Sequence, residues 1–316
     1  MRYLVTGGAG FIGSHLVDAL MERGDSVVVV DDLSSGSLNN ISKWLNAKEF
    51  KFIKQDLSKN EIDPKIMNEC DIVLHLAANP EVRISSVSPD VHFKQNVLAT
   101  FNVLESLRKH GGIKKLLFTS SSTVYGEAEK IPTPEDYSPM TPISVYGASK
   151  LACEALITAY ANIYGFQAII ARLANVIGSR SRHGVIYDFI KKLRRDPKKL
   201  EILGDGTQSK SYFYITDCVE ALLLLLEKAS DRVSIYNVGS EDRVDAKTIA
   251  EVVVREMGLS DVKLHFTGGV HGGRGWAGDV KVMQLDISRI KRLGWRPKYT
   301  SYQAVELATR DLINEI

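Results

Sequence analysis

Tyr146 and Lys150 stand four residues apart in the run Tyr146-Gly-Ala-Ser-Lys150. On a helix this spacing puts a phenol and an ammonium on one face. A nearby lysine cation stabilises a phenolate and lowers the tyrosine pKa, which turns an unreactive phenol into a base usable near neutral pH. Such a pair also occurs as a plain surface contact, so its context has to decide its meaning.

A second chemical signal opens the chain. In Thr6-Gly-Gly-Ala-Gly-Phe-Ile-Gly13, Gly8, Gly10 and Gly13 fit G-x-G-x-x-G, while Gly7, Gly10 and Gly13 fit G-x-x-G-x-x-G. Glycine is needed there because a Cβ would block the approach of backbone to a pyrophosphate. The helix that follows offers free N–H groups and a favourable dipole to the anion. The run lies between a strand and a helix, where a dinucleotide site requires it. Asp31 closes the next strand, 18 residues after Gly13, near the spacing of an acid that binds the adenosine ribose diol. Asp32 follows it, and no basic residue occurs until Lys43. A carboxylate there repels a 2′-phosphate, so NAD is expected rather than NADP.

These residues need a frame. Strands are expected at Tyr3–Thr6, Ser26–Val30, Phe50–Lys54, Ile72–His75, Lys115–Thr119 and Ala168–Arg172. Helices are expected at about Ile12–Arg23, Val91–His110 and Ser144–Tyr164. Continuous apolar strands alternating with helices imply a parallel sheet covered on both faces, with right-handed crossovers. Between Gly126 and Ser144, four prolines (Pro132, Pro134, Pro139 and Pro142) forbid regular structure, and a long irregular loop is usually functional or mobile. Past Asn175 loops become dense. Asp205–Gly206 reads as a hairpin-type turn, and residues 268–278 are rich in glycine. Residues 1–174 are therefore read as a dinucleotide-binding domain, to which later segments return, and 175–316 mainly as a substrate-binding region.

Composition sets outer bounds. The 316 residues are 44% apolar and 25% charged, as in a globular protein with a full core. A net charge of +2 gives no reason to expect a nucleic-acid partner. Cys70, Cys153 and Cys218 are far apart and in no metal-ligand spacing, so reduced structural thiols and no metal are expected. The sequence opens directly on a strand, and the apolar run Ala221–Leu226 is too short to span a bilayer. No membrane association and a cytoplasmic location are expected. The basic run Lys191, Lys192, Arg194, Arg195, Lys198 and Lys199 reads as a solvated helix face.

Taken in order, Thr6–Gly13, Asp31, Asp56–Leu57, Leu76-Ala-Ala78, Asn96, Ser120–Gly126, Tyr146–Lys150, Arg172–Gly178, Gly204–Asp217 and Gly278–Asp279 resemble the extended short-chain dehydrogenase/reductase family. Within it the chain is most similar to the UDP-glucose 4-epimerase branch. The resemblance implies an α/β fold, a Rossmann-type doubly wound parallel sheet with a smaller C-terminal substrate-binding region. It implies Tyr146, Lys150 and Ser121 as catalytic residues. The cofactor set expected on it is Gly7, Gly10, Phe11, Ile12, Gly13, Asp31, Asp32, Ser35, Gly36, Asp56, Leu57, Leu76, Ala77, Ala78, Asn96, Thr119, Leu173 and Val176, with Tyr146 and Lys150. Asn96 would brace the cofactor-side strand. Thr123, Asn175, Val185, Lys210, Tyr212 and Arg274 would face a UDP-sugar, with Arg274 gripping the diphosphate through its forked donors. A homodimer through the helices at about Val91–His110 and Ser144–Tyr164 is also implied.

The sequence departs from the family in three places. Lys210 stands where the family often has arginine. Arg274 lies five residues before Asp279, whereas three is common in the family. Pro80 stands where bacterial-type epimerases carry a cofactor-contacting lysine, with Arg83 a little further on. The reaction best matched is 4-epimerisation of a UDP-hexose by transient oxidation at C4. A dehydratase or decarboxylase is the alternative. The dehydratase branch commonly places Asp-Glu after its catalytic threonine, where this chain has Ser122 and Thr123. A non-catalytic NAD-binding regulator is disfavoured by the intact Tyr146, Lys150 and Ser121. Met283, four residues past Asp279, stands where some epimerases close the sugar pocket with a bulky tyrosine. A flexible methionine there would admit UDP-N-acetylglucosamine alongside UDP-glucose, unless it only fills the core.

Overall fold

The computed structural model describes residues 1–110 and 112–316. Six parallel strands come from the first half: β1 (Arg2–Thr6), β2 (Ser26–Asp31), β3 (Phe50–Lys54), β4 (Ile72–His75), β5 (Lys115–Ser121) and β6 (Gln167–Leu173). Their apolar runs are buried on both faces; Val27, Val28, Val29 and Val30 are all core residues. Helices α1 (Phe11–Glu22), α2 (Pro64–Glu69), α3 (Asp90–His92), α4 (Ala99–His110) and α5 (Val145–Tyr164) cover the sheet. The segment expected as one helix over Val91–His110 is α3 and α4 joined through a π-helical stretch at Phe93–Leu98.

α5 is well delimited. The Ser144 side chain accepts a 3.0 Å hydrogen bond from the Gly147 N–H at its start, and Gly165, at φ +85°, ends it in the left-handed region. Twenty residues long, it carries Tyr146 and Lys150 in its first turns.

The second half adds β7 (Asn175–Ile177), α6 (Val185–Arg195), β8 (Lys199–Ile202), β9 (Ser209–Lys210), β10 (Tyr212–Tyr214), α7 (Ile215–Lys228), β11 (Val233–Val238), β12 (Val244–Asp245), α8 (Ala246–Glu256), β13 (Lys263–Phe266), β14 (Val282–Met283), α9 (Ser288–Arg292) and α10 (Ser301–Glu315). β11 returns to the main sheet beside β6, giving the order β11-β6-β5-β4-β1-β2-β3. α6, α8 and α10 close around β8 as a separate apolar cluster. Asp205–Gly206 makes a tight turn but not a hairpin. β8 pairs with β13, whereas β9 pairs with β12 and β14, so the turn hands the chain between two small sheets.

The proline-rich loop at 126–144 is irregular and anchored rather than loose. The Thr133 N–H donates to Gln284 O and its carbonyl accepts from Asp286 N–H, both at 2.9 Å, and Thr133 and Glu135 are buried. The three cysteines are free and buried. Among the described residues no helix is long and apolar enough to cross a membrane.

The strand order reverses at β1, which lies between β2 and β4. Register aligns the strand ends there: Thr6 pairs with both Val30 and His75, and Ser121 with Leu173. The C-terminal edge at such a switch point is where open α/β sheets bind ligands.

Candidate active site

A cavity of about 640 Å³ runs along this edge and into the second half of the chain. At its first end, Gly7 adopts φ +70°, and a Cβ there would lie 2.7 Å from the Ala77 nitrogen. A Cβ on Gly13 would lie 2.1 Å from Gly7 O. Positions 7 and 13 of the turn therefore admit only glycine. Gly10, before α1, makes no side-chain cap, and the first turn of α1 carries no acidic residue. The helix N–H groups remain available for an anion, as a dinucleotide pyrophosphate requires. Asp31 is held by two backbone donors, Ala9 N–H at 3.0 Å and Leu33 N–H at 2.8 Å. Burial nevertheless keeps its pKa above the usual carboxylate range. Asp32 accepts the Ser34 N–H and hydroxyl at 2.8 and 2.6 Å. This set fits NAD: a glycine cradle, a helix N-terminus, and a carboxylate at the end of β2.

The wall continues through Phe11, Ile12, Ser35, Asp56, Leu57, Leu76, Ala77, Ala78, Thr119, Leu173 and Val176. Two residues of the expected cofactor set sit behind the wall. Gly36 packs so closely on Ala9 and Asp31 that a Cβ would lie 2.8 Å from the Ala9 carbonyl carbon. Asn96 is buried in the π-helical stretch. Its Oδ1 accepts the Asn79 N–H at 2.8 Å, and its Nδ2 donates to Ser149 Oγ at 2.8 Å. Asn96 thus ties the loop after β4 to the helix that carries Tyr146.

Tyr146, Lys150 and Ser121 line the same cavity. Lys150 donates to Thr119 O at 2.9 Å, and its ammonium lies 6.0 Å from the Tyr146 ring centroid. Thr123 Oγ1 donates to Ser121 Oγ at 2.9 Å. Burial pushes the Tyr146 phenol up to about 12, although a hydrogen bond with Ser121 works against it. Burial also draws Lys150 down to about 8. The expectation that Lys150 lowers the phenol pKa is therefore not met by the protein groups alone: both groups lose solvation, and at this separation neither shift has a contribution from the other.

Beneath them lies a buried polar network. Arg172 on β6 pairs with Glu154 on α5 at 2.7 Å and donates to Tyr125 Oη at 2.8 Å. Ser120 donates to Glu154, Tyr125 donates to Asn237 Oδ1 at 2.7 Å, and the Asn237 N–H reaches Glu135 Oε1 at 2.9 Å.

At the far end the cavity meets Asn175, Val185, Lys210, Tyr212 and Met283. Asn175 Nδ2 donates to Ser211 O at 3.1 Å. Val185 opens α6 after Gly184, which adopts φ +93°. Lys210 is paired with Asp279. Arg274 does not line the cavity. Its guanidinium is bound to Glu127, because its two extra residues of spacing carry it past the wall. Trp276, three residues before Asp279, lines the cavity instead, together with Gln208, Arg180 and Arg182, none of which the sequence singled out. The spacing before Asp279 was the one signal for Trp276. Lys192, from the basic run read as solvated, also reaches the cavity. Arg83 lines it too, paired with Glu81 at 3.1 Å and Asp188 at 2.9 Å.

Among solved structures, a UDP-galactose 4-epimerase shares 45% identity with this chain, covers both chains fully and superposes with a TM-score of 0.87. The UDP-glucose 4-epimerase of Thermotoga maritima, solved with UDP-glucose, is 34% identical over 100% of this chain and 99% of its own, with a TM-score of 0.86. UDP-glucuronic acid decarboxylase 6 of Arabidopsis thaliana is 32% identical over 98% of this chain and 88% of its own. Residues 3–239 match the NAD dependent epimerase/dehydratase family. With the Rossmann-type sheet, the glycine cradle and the Tyr146–Lys150 helix in place, the chain belongs to that family and is an NAD-dependent enzyme of the epimerase type.

Proposed function

We propose that the protein interconverts UDP-glucose and UDP-galactose by inverting the configuration at C4. One observation carries the reading: Tyr146, Lys150 and Ser121 line a single cavity together with the dinucleotide cradle and the Asn175–Tyr212 wall. That layout suits a sugar held between a cofactor and a nucleotide anchor. NAD, held by the Gly7–Gly13 cradle and Asp31, would supply a reversible hydride acceptor for C4. The Tyr146 phenolate takes the proton of the sugar O4 hydroxyl and later gives it back. Ser121 hydrogen-bonds the same oxygen, with Thr123 orienting the serine. Lys150, fixed by Thr119 O, presents positive charge to the phenolate side of the site. The 4-keto sugar then turns over between the two transfers.

Decarboxylation needs a carboxylate on the sugar, which UDP-glucuronate has and UDP-glucose lacks, so the sugar's C5 substituent separates the readings. Each purified sample is offered UDP-glucose, UDP-N-acetylglucosamine and UDP-glucuronate without added NAD. UDP-galactose formed with no net oxidation supports the proposal. Release of CO₂ from UDP-glucuronate, with UDP-glucose left unchanged, would replace it by decarboxylation. In the same reading the protein works as a homodimer through α4 and α5, whose outer faces expose apolar side chains.

A further inference from the structure

Asp18 stands on α1 one turn past Ser14 and does not itself line the cavity. Each of its carboxylate oxygens holds a different distant segment. Oδ1 accepts the Trp44 indole N–H at 2.7 Å, and Oδ2 pairs with the Arg180 guanidinium at 2.7 Å. Trp44 closes the 3₁₀ segment Leu38–Trp44, and the stretch leading into it lines the cavity through Ser35, Ser37 and Asn40. Arg180 belongs to the stretch after β7, which lines the same cavity through Gly178, Arg180 and Ser181. One carboxylate behind the wall therefore ties together two segments that share that wall with the glycine cradle.

The two segments are not fastened alike. The first has its own bonds to the cradle: the Ser37 N–H and Asn40 Nδ2 both donate to Ala9 O, at 3.0 and 2.8 Å. The second meets α1 through Arg180, which also donates to Ser14 Oγ at 3.1 Å, and through His15, whose Nε2 lies 3.1 Å from Ser179 O. Arg180 adopts φ +65°, in the left-handed region that a residue with a Cβ avoids, and its N–H donates to Glu315 in α10 at 2.7 Å. A backbone of this kind persists only where its surroundings over-determine it, and such positions gather at ligand clamps.

We propose that Asp18 is a cofactor latch: by holding Trp44 and Arg180 on one carboxylate, it keeps the two wall segments closed over bound NAD and slows the exchange of that cofactor with solvent. It acts through its two partners and is a positioning residue. The inference rests on the NAD site and is independent of which sugar is turned over. A latch opens for entry as for exit, so weakening it speeds both and moves affinity less than exchange rate. A side chain that only supported the bound cofactor would move the two together.

The test mixes full-length protein saturated with NAD with an excess of isotope-labelled NAD. Exchange of the bound cofactor is followed by mass spectrometry after rapid desalting, and NAD affinity is read by calorimetry on protein stripped of cofactor. Asp18→Ala is expected to exchange about tenfold faster than wild type, with Kd raised less than about threefold. Trp44→Phe, which frees one segment, is expected to speed exchange about threefold in the wild-type background and not at all in the Asp18→Ala background, where its bond is already gone. Asp18→Asn keeps the side-chain shape and one acceptor oxygen, and is expected to fall between wild type and Asp18→Ala. If Asp18→Ala does not fold, faster exchange with Kd little changed in Asp18→Asn is the required result. Exchange at the wild-type rate in both Asp18 variants, a Kd that rises in full proportion to exchange, or an equal effect of Trp44→Phe in both backgrounds overturns the latch alone. A wild type that takes up no NAD overturns the cofactor site and this inference with it.

Discussion

At the scale of single residues, the site rests on groups whose ionisation burial opposes. Tyr146 is the phenol placed to act as base, so Tyr146→Phe should lower kcat by about 10²–10⁴ while leaving the fold and NAD binding intact. Steady-state kinetics beside circular dichroism would check it, and near-normal turnover would sink the proposed mechanism. Lys150 is buried, and its pKa drops to about 8 from the ordinary 10.5. The unfolded chain therefore binds more protons than the native one between about pH 8 and 10.5, and in that window stability rises with pH. At pH 7 the native state bears the full cost of the buried charge. Lys150→Met should then raise Tm at pH 7 while abolishing activity, and its advantage should shrink as pH climbs toward 10.5. An unchanged or lower Tm at pH 7 would show that the Thr119 hydrogen bond outweighs the desolvation. Met283 lines the cavity and is nearly buried, so its side chain meets both the core and the substrate space. Met283→Tyr should lower kcat/KM for UDP-N-acetylglucosamine relative to UDP-glucose, and an untouched ratio would remove Met283 from the sugar site.

At the scale of elements, what positions these residues is the seam between α5, β5 and β6. The Glu154–Arg172 pair joins helix to sheet one turn below Lys150, and Ser120 draws the end of β5 into the same pair. Removing one partner of a buried pair leaves a stranded charge and costs about 3–5 kcal/mol. Arg172→Leu should show that loss in denaturant unfolding, and the double variant Glu154→Leu with Arg172→Leu should recover part of it. Additive losses in the double variant would mean that the two side chains act independently. The Asn96–Ser149 bond makes a second joint, from the π-helical stretch to α5. π turns of this kind often mark functional positions, and here the extra residue per turn accompanies a side chain that serves two neighbours.

At the scale of the whole molecule, the two outer helices carry apolar side chains that the described residues leave exposed. Phe93 is 61% exposed and Ile163 71%, with Phe101, Val145 and Tyr164 also exposed. All five lie on or beside α4 and α5, on the surface the sheet does not reach. Apolar side chains grouped in this way mark a contact surface. Sedimentation at micromolar concentration should give twice the 35.0 kDa chain mass, and Phe93→Glu with Ile163→Glu should halve it. A wild-type monomer would refute the dimer.

The alternation of strands and helices, the glycine cradle, Asp31 at its strand end and the Tyr146–Lys150 spacing were all legible in the sequence. Each depends on the geometry of one element or one turn, and that geometry repeats with a fixed period along the chain. The destination of long side chains on irregular backbone was not legible. Arg274 and Trp276 share one glycine-rich loop, and only its folded path decides that the arginine meets Glu127 while the indole meets the cavity. The turn at Asp205–Gly206 has local hairpin chemistry, yet tertiary pairing sends its two flanks to different sheets. Arg172, Glu154, Tyr125, Glu135 and Asn237 come from five separate segments, so no spacing announces their network. The pKa of Tyr146 inverted the expectation for the same reason. Helical spacing brings an ammonium near a phenol, but the water excluded from around both is set by the packing of the whole domain.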